Sequence, residues 1–173
     1  MKPRPRQPRR QRGFSLIVSL ILLVLVTLVA VASMRTVSLQ SRMSATTYDR
    51  NLAFQAAEAG LRGAEALAAV ATEASFPASD CAGGYCAQPA PADPARWMND
   101  GFTGWQDSAV AVSAGAATPG TIIERNGEGD NWAGCGQQIP REPNCRTPRY
   151  RVTGRSTADG RATVILQSDV ATQ

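Results

Sequence analysis

The side chains in this sequence with most chemistry to offer are four cysteines, Cys81, Cys86, Cys135 and Cys145. Thiols can hold a metal, act as nucleophiles or pair as disulfides. The Cys81-x4-Cys86 and Cys135-x9-Cys145 spacings are not those of a zinc ribbon, and the chain has no histidine. Without histidine it also lacks the commonest general base, and none of its serines has an imidazole to activate it. An enzyme is not expected, nor a metal site or any cofactor. The Gly-rich run Asn126-Gly127-Glu128-Gly129-Asp130-Asn131 has oxygen ligands but not the EF-hand order, and reads as a solvated turn. Disulfide formation is the chemistry that remains. Four cysteines allow three connectivities, of which sequence proximity favours Cys81–Cys86 with Cys135–Cys145.

Disulfides need an oxidising compartment, and the element that would deliver the cysteines to one lies at the N-terminus. Phe14 to Met34 is a 21-residue run without a charge, FSLIVSLILLVLVTLVAVASM. As a helix it spans roughly 30 Å, the thickness of a bilayer's hydrocarbon core. Residues 1–13 carry six basic side chains and no acid. The positive-inside rule therefore keeps this leader in the cytoplasm and sends the rest outward, which in a bacterium is the periplasm. All four cysteines follow the apolar run.

The formal net charge of +4 belongs to the leader. The 160 residues after Gly13 hold 12 basic and 14 acidic side chains, a net of −2. Nucleic-acid binding is not expected of such a chain.

Helical character continues beyond the membrane. Arg35 to about Ala74 contains no proline and is rich in Ala, Leu, Met, Arg and Glu. Leu39, Met43, Leu52, Ala56, Ala59 and Leu67 fall broadly on one side. Glu58–Arg62 and Arg62–Glu65 are spaced as helical ion pairs. Residues 75–120 are rich in Gly, Pro and Ala and show no period; Trp97, Phe102 and Trp105 read there as local core. Strand signals come late, at Thr121–Arg125, Tyr150–Ser156 and Ala162–Ser168. The Asp159-Gly160 turn predicts a hairpin from the last two. The expected class is α+β: a long N-terminal helix, half in lipid, packed on a small antiparallel sheet with a C-terminal hairpin. The boundaries are a leader at 1–13, a helix at 14–74 with its membrane part at 14–34, and a globular domain at 75–173.

Three fates fit the N-terminus. It is a permanent anchor, a Sec signal cut after Ala30-Val31-Ala32, or a leader cut on the cytoplasmic face ahead of the apolar run. The 19 apolar residues before the Sec-type site exceed the usual signal length.

Arg12-Gly13-Phe14-Ser15-Leu16-Ile17 resembles a type IV prepilin processing site. The longer stretches RGFSLIVSLILLVLVTLVAVASMR and YDRNLAFQAAEAGLR resemble the N-terminal region of PilX-type minor pilins. RYRVTGRS and ATVILQSDV are similar to the end of that family. The resemblance implies cleavage after Gly13 by a membrane aspartic peptidase, and methylation of the new amine on Phe14. It implies as partners the other minor pilins, the major pilin, the prepilin peptidase, the pilus assembly platform and the inner membrane. Major pilins carry a glutamate at the fifth mature position; Val18 stands there in this chain. In the family that glutamate is thought to pair with a neighbour's N-terminal amine in the filament core. The K pseudopilin of type II secretion also lacks it and sits at a tip. Val18 therefore points to a minor subunit at a special position. A type II secretion pseudopilin and a Sec-secreted or statically anchored periplasmic binding domain are the alternative functions.

Overall fold

A computed structural model describes residues 14–172. The leader at 1–13, with the expected cleavage residue Gly13, lies outside the described residues. The chain divides into two compact units between Ala45 and Thr46. One helix, α1 (Phe14–Ala69), contributes to both.

In the first unit α1 is wholly exposed, and from Phe14 to Met34 it is apolar on every side. Four of its hydroxyls are satisfied within the helix. Ser19, Thr27, Ser33 and Thr36 donate to the carbonyls of Leu16 (2.9 Å), Val24 (2.8 Å), Val29 (2.9 Å) and Ala32 (3.1 Å). Such back-bonding lets a polar side chain sit in an apolar medium without an orphaned donor.

The second unit begins within the helix. α1 ends at Ala69, short of the expected residue 74. The last turn tightens, with the Val70 and Ala71 amides bonding three residues back to Leu67 and Ala68. Thr72 then leaves the helix in an extended conformation and pairs with Ser75 in a capping box that starts a 3₁₀ turn at Glu73–Ser75. A competing cap thus ends the helix before Pro77 is reached.

The sheet follows. β1 (Cys81–Ala82) and β2 (Tyr85–Cys86) form a short hairpin, and β3 (Gln106–Asp107) is as brief. β4 (Gly120–Asp130), β5 (Arg146–Ser156) and β6 (Val164–Ala171) are the long strands. The order is β1-β2-β4-β5-β6, with β3 also on β4. The expected antiparallel sheet is in fact mixed, because β2 runs parallel to β4, Tyr85 against Ile123 and Cys86 against Glu124. β3 pairs with the preceding stretch of β4, so two short strands in tandem line that edge. The predicted C-terminal hairpin is present as β5–β6, turning at Gly160 with φ +69°.

The run 126–131 is not a free turn. β4 continues to Asp130 after a bulge between Arg125 and Glu128, where Gly127 takes φ +75°. The Arg146 guanidinium faces both carboxylates of this stretch, Asp130 at 3.2 Å and Glu128 at 3.8 Å.

The core lies between the second half of α1 and one sheet face. Leu61, Ala64 and Ala68 meet Ile123, Tyr150 and Val152 there. Phe76 closes the end of this core. Its ring stacks on Tyr150 at 4.9 Å and meets Tyr85 edge-on at 5.4 Å. The buried helix positions are Leu52, Ala53, Ala56, Ala57, Gly60, Leu61, Ala64 and Ala68. The expected stripe is therefore only partly right: Leu52 and Ala56 are buried, Ala59 is half-buried, and Leu39, Met43 and Leu67 are exposed. Small side chains face the sheet because the approach is close. A β-carbon on Gly154 of β5 would stand 2.8 Å from the Ala57 carbonyl oxygen, and one on Gly60 would stand 2.8 Å from Pro119.

Candidate assembly surfaces

Phe14 opens α1, and both it and Met34 are exposed. The helix is unbroken at Met34 and runs on to Ala69. Val18 is also exposed, among neighbours that are all apolar or hydroxylic. From Phe14 to Met34 the helix has no charged group and is long enough to cross a membrane. Among the described residues nothing covers this surface.

The second unit presents a different surface. Tyr48, Phe54 and Leu67 are exposed on α1, and Val70 is exposed just past its end. Between α1 and the edge strand β6 lies a groove of about 360 Å³, lined by Arg50, Asn51, Phe54, Thr163 and the start of β6 from Val164 to Leu166. The outer edge of β6 pairs with no other strand among the described residues.

Three polar ties hold this unit in shape. Asp49 of α1 accepts hydrogen bonds from the Ala162 amide (2.6 Å) and from Arg161 Nε. The amide first, and the guanidinium second, hold its carboxyl below the usual carboxylate range. Arg161 also donates to the Gly115 carbonyl at 3.0 Å, so the turn of the β5–β6 hairpin is bound to helix and loop at once. In the second tie Arg96 donates to the Glu124 carboxylate at 2.6 Å and to the Ala87 carbonyl at 3.0 Å. The third joins Glu73 to Arg125 at 2.7 Å, outside the core end where burial pushes the Tyr150 phenol up.

Of the two expected helical ion pairs, Glu58–Arg62 is present at 2.5 Å. Glu65 instead accepts the Ser168 hydroxyl of β6 at 2.5 Å. The structure joins Cys81 to Cys86 and Cys135 to Cys145. The first bridge clamps the β1–β2 hairpin, and the second closes the loop between β4 and β5. Trp97, Phe102 and Trp105 are half-buried in the middle segment. Phe102 meets Trp105 edge-on at 5.9 Å, and the Arg155 guanidinium lies 4.1 Å above the Trp105 ring.

Asp49, Arg161 and Gly154 were not anticipated as positioning residues. Gly154 had a readable signal, since a glycine inside a strand pattern marks a bulge or a close backbone approach. The Asp49–Arg161 pair spans 112 residues and has no local signature.

Two family models match the chain. The model "PilX N-terminal" covers residues 12–62, and "Type IV pilus assembly protein PilX C-term" covers residues 82–172. No curated protein and no solved structure matches it. The two matches take in α1 as far as Arg62 and the whole sheet except β1's first residue, and so the chain belongs to the PilX family of type IV pilus minor pilins.

Proposed function

We propose that this chain is an inner-membrane precursor that is cut between Gly13 and Phe14, methylated on Phe14, and then takes part in initiating or assembling a type IV pilus. The observation that carries the reading is the charge-free helix surface from Phe14 to Met34, directly behind Gly13, in a chain matched by both PilX models. Before assembly that surface faces lipid, with the leader in the cytoplasm and the disulfide-bearing unit in the periplasm. Removing six basic residues frees the helix to leave the bilayer, because drawing those charges through lipid is expensive. In the filament the same surface packs against the helices of other subunits. The partners in this reading are the major pilin, other minor pilins, the prepilin peptidase and the assembly platform.

Val18 supports a special position within the filament. A buried N-terminal amine with no carboxylate to pair with is unfavourable. A subunit lacking that carboxylate suits a tip or a rare insertion better than a repeating shaft. A type II secretion pseudopilin is the second reading, supported by the same Val18.

Sequencing the N-terminus of the mature protein tests the processing step. A methylated phenylalanine at position 14 is expected. A start at Ser33 would overturn the reading in favour of a Sec signal, and an intact Met1 would mean a static anchor. Deleting the gene and scoring surface pili separately from type II secretion tests the assignment to the pilus.

A further inference from the structure

Beyond assembly, one cleft in the second unit has the makings of a ligand site. It lies where the disulfide-closed β4–β5 loop meets the last residues of β6, and encloses about 450 Å³. This is within the size range of small-molecule pockets. One wall is Trp132, which is 39% exposed. The other walls are polar, from Asn131, Asn144, Thr147, Arg149 and Thr172.

The polar groups are held in place by one another. The Asn131 side chain donates to the Asn144 carbonyl at 2.6 Å and accepts from the Thr147 hydroxyl at 2.8 Å. Its oxygen also accepts from Arg149 Nη2 at 3.1 Å, and the same nitrogen donates to the Asp130 carbonyl at 2.8 Å. Arg149 is thus fixed through one corner of its guanidinium. Among the described residues its Nε and Nη1 hydrogens have no acceptor and the Asn144 side chain makes no hydrogen bond; Nε lies over the strand, 2.6 Å from where a β-carbon on Gly129 would stand. Arg149 is the only charged residue among those lining the cleft. The carboxylate of nearby Asp130 is engaged by Arg146 at 3.2 Å.

We infer that this cleft binds a carboxylated sugar, a uronic-acid unit of a saccharide. The exposed indole offers a flat apolar face, which suits the C–H face of a pyranose ring. The free amide of Asn144 offers donors and an acceptor for ring hydroxyls, and Thr172 Oγ1, which donates to the Pro148 carbonyl at 3.4 Å, can accept from one. With Nη2 engaged, Arg149 keeps Nη1 as a charged single donor for one carboxylate oxygen, and no competing anion lines the cleft wall. A purely apolar ligand would leave the amides and guanidinium unpaired, and a cationic one would face Arg149.

The test uses the full chain in detergent micelles with D-glucuronate as probe and D-glucose as its neutral counterpart, read by saturation-transfer NMR. Transfer to the glucuronate ring protons is expected, with glucose binding about tenfold more weakly, since a hydrogen bond to a charged group contributes roughly 1.5–3 kcal/mol. Trp132→Ala should abolish transfer. Arg149→Gln should bring glucuronate down to the level of glucose. Ala171→Phe fills the cleft from its β6 side, beside its cross-strand partner Arg149, and should also abolish transfer. It serves as the second variant if Trp132→Ala does not fold. Absence of transfer from the unaltered chain, or transfer that survives both Trp132→Ala and Ala171→Phe, overturns the site. Equal binding of glucose and glucuronate overturns the assignment of a carboxylated ligand.

Discussion

Gly154 of β5 faces Ala57 of α1 so closely that a β-carbon on the glycine would lie 2.8 Å from the Ala57 carbonyl oxygen. The obstacle is helix backbone, which cannot rotate away, and Leu61 stands behind it at 3.1–3.2 Å. Gly154→Ala must therefore lift the helix from the sheet. A loss of about 1–3 kcal/mol is expected, as for overpacked core sites, with Gly154→Val worse. Thermal melting of the full chain in micelles measures it; an unchanged midpoint would show that the contact is looser than described.

Arg96 and Glu124 form a different kind of contact. Their side chains are 17% and 4% exposed, and they join the irregular middle segment to the centre of β4. Truncating one member strands the other charge in the core. Arg96→Ala should cost about 3 kcal/mol, the lower end for a broken buried pair. Replacing both at once, Arg96→Met with Glu124→Leu, should recover most of that loss. If the double variant is no more stable than Arg96→Ala, the damage comes from lost packing of the arginine stem and not from the orphaned carboxylate.

The Asp49 tie predicts a pH dependence with a definite sign. Its carboxyl is held below the ordinary value of 3.8 in the folded chain, first by the Ala162 amide and then by Arg161. A depressed carboxylate stabilises the fold in full above its unfolded value, and that contribution disappears as pH falls through the folded value. Asp49→Asn should therefore melt lower than the unaltered chain at neutral pH. The gap between the two should close below pH 3.8. A gap independent of pH across that window would mean that the ionised carboxylate is not what binds the hairpin turn.

Some of this architecture could be read directly and some could not, for reasons visible in single residues. The β5–β6 hairpin was legible because Asp159-Gly160 and the flanking alternation are local signals. The class was legible because a 56-residue helix leaves a distinctive composition. Which helix face packs was misjudged because weight went to the largest side chains. Leu39, Met43 and Leu67 are exposed while Ala53, Ala57 and Gly60 pack; at Ala57 the close approach is set by Gly154, about a hundred residues away in the chain. The middle segment was opaque because its strands are two residues long and owe their position to partners elsewhere. β2 exists by virtue of β4, and Arg96 is held by Glu124. The cleft beside Trp132 was equally invisible, since Asn131 and Arg149 come together only through the β4–β5 ladder.

The bridges join Cys81 to Cys86 across 5 positions and Cys135 to Cys145 across 10. Loop-closure entropy gives such short loops roughly 2–3 kcal/mol each, the longer one slightly more. Replacing Cys135 and Cys145 together by alanine should lower stability by that amount and loosen the loop carrying Trp132. Peptide mapping of the protein isolated from cells without reductant should find no alkylatable thiol; four would refute the pairing.

Val18 gives the last prediction, which concerns number of copies and not stability. If a missing carboxylate is what keeps this subunit out of the repeating shaft, restoring one should relax the exclusion. Val18→Glu places an acid at the fifth residue after the proposed cut, in a helix stretch with no other charge down to Met34. In lipid such a group is unfavourable unless it is protonated or paired, so the variant precursor should also depend more on prompt assembly. Counting subunits per filament by quantitative mass spectrometry separates the possibilities. More copies of Val18→Glu than of the unaltered chain would tie position in the filament to this one residue. An unchanged count would mean that the surface of the disulfide-bearing unit, not the helix core, decides where the subunit can go.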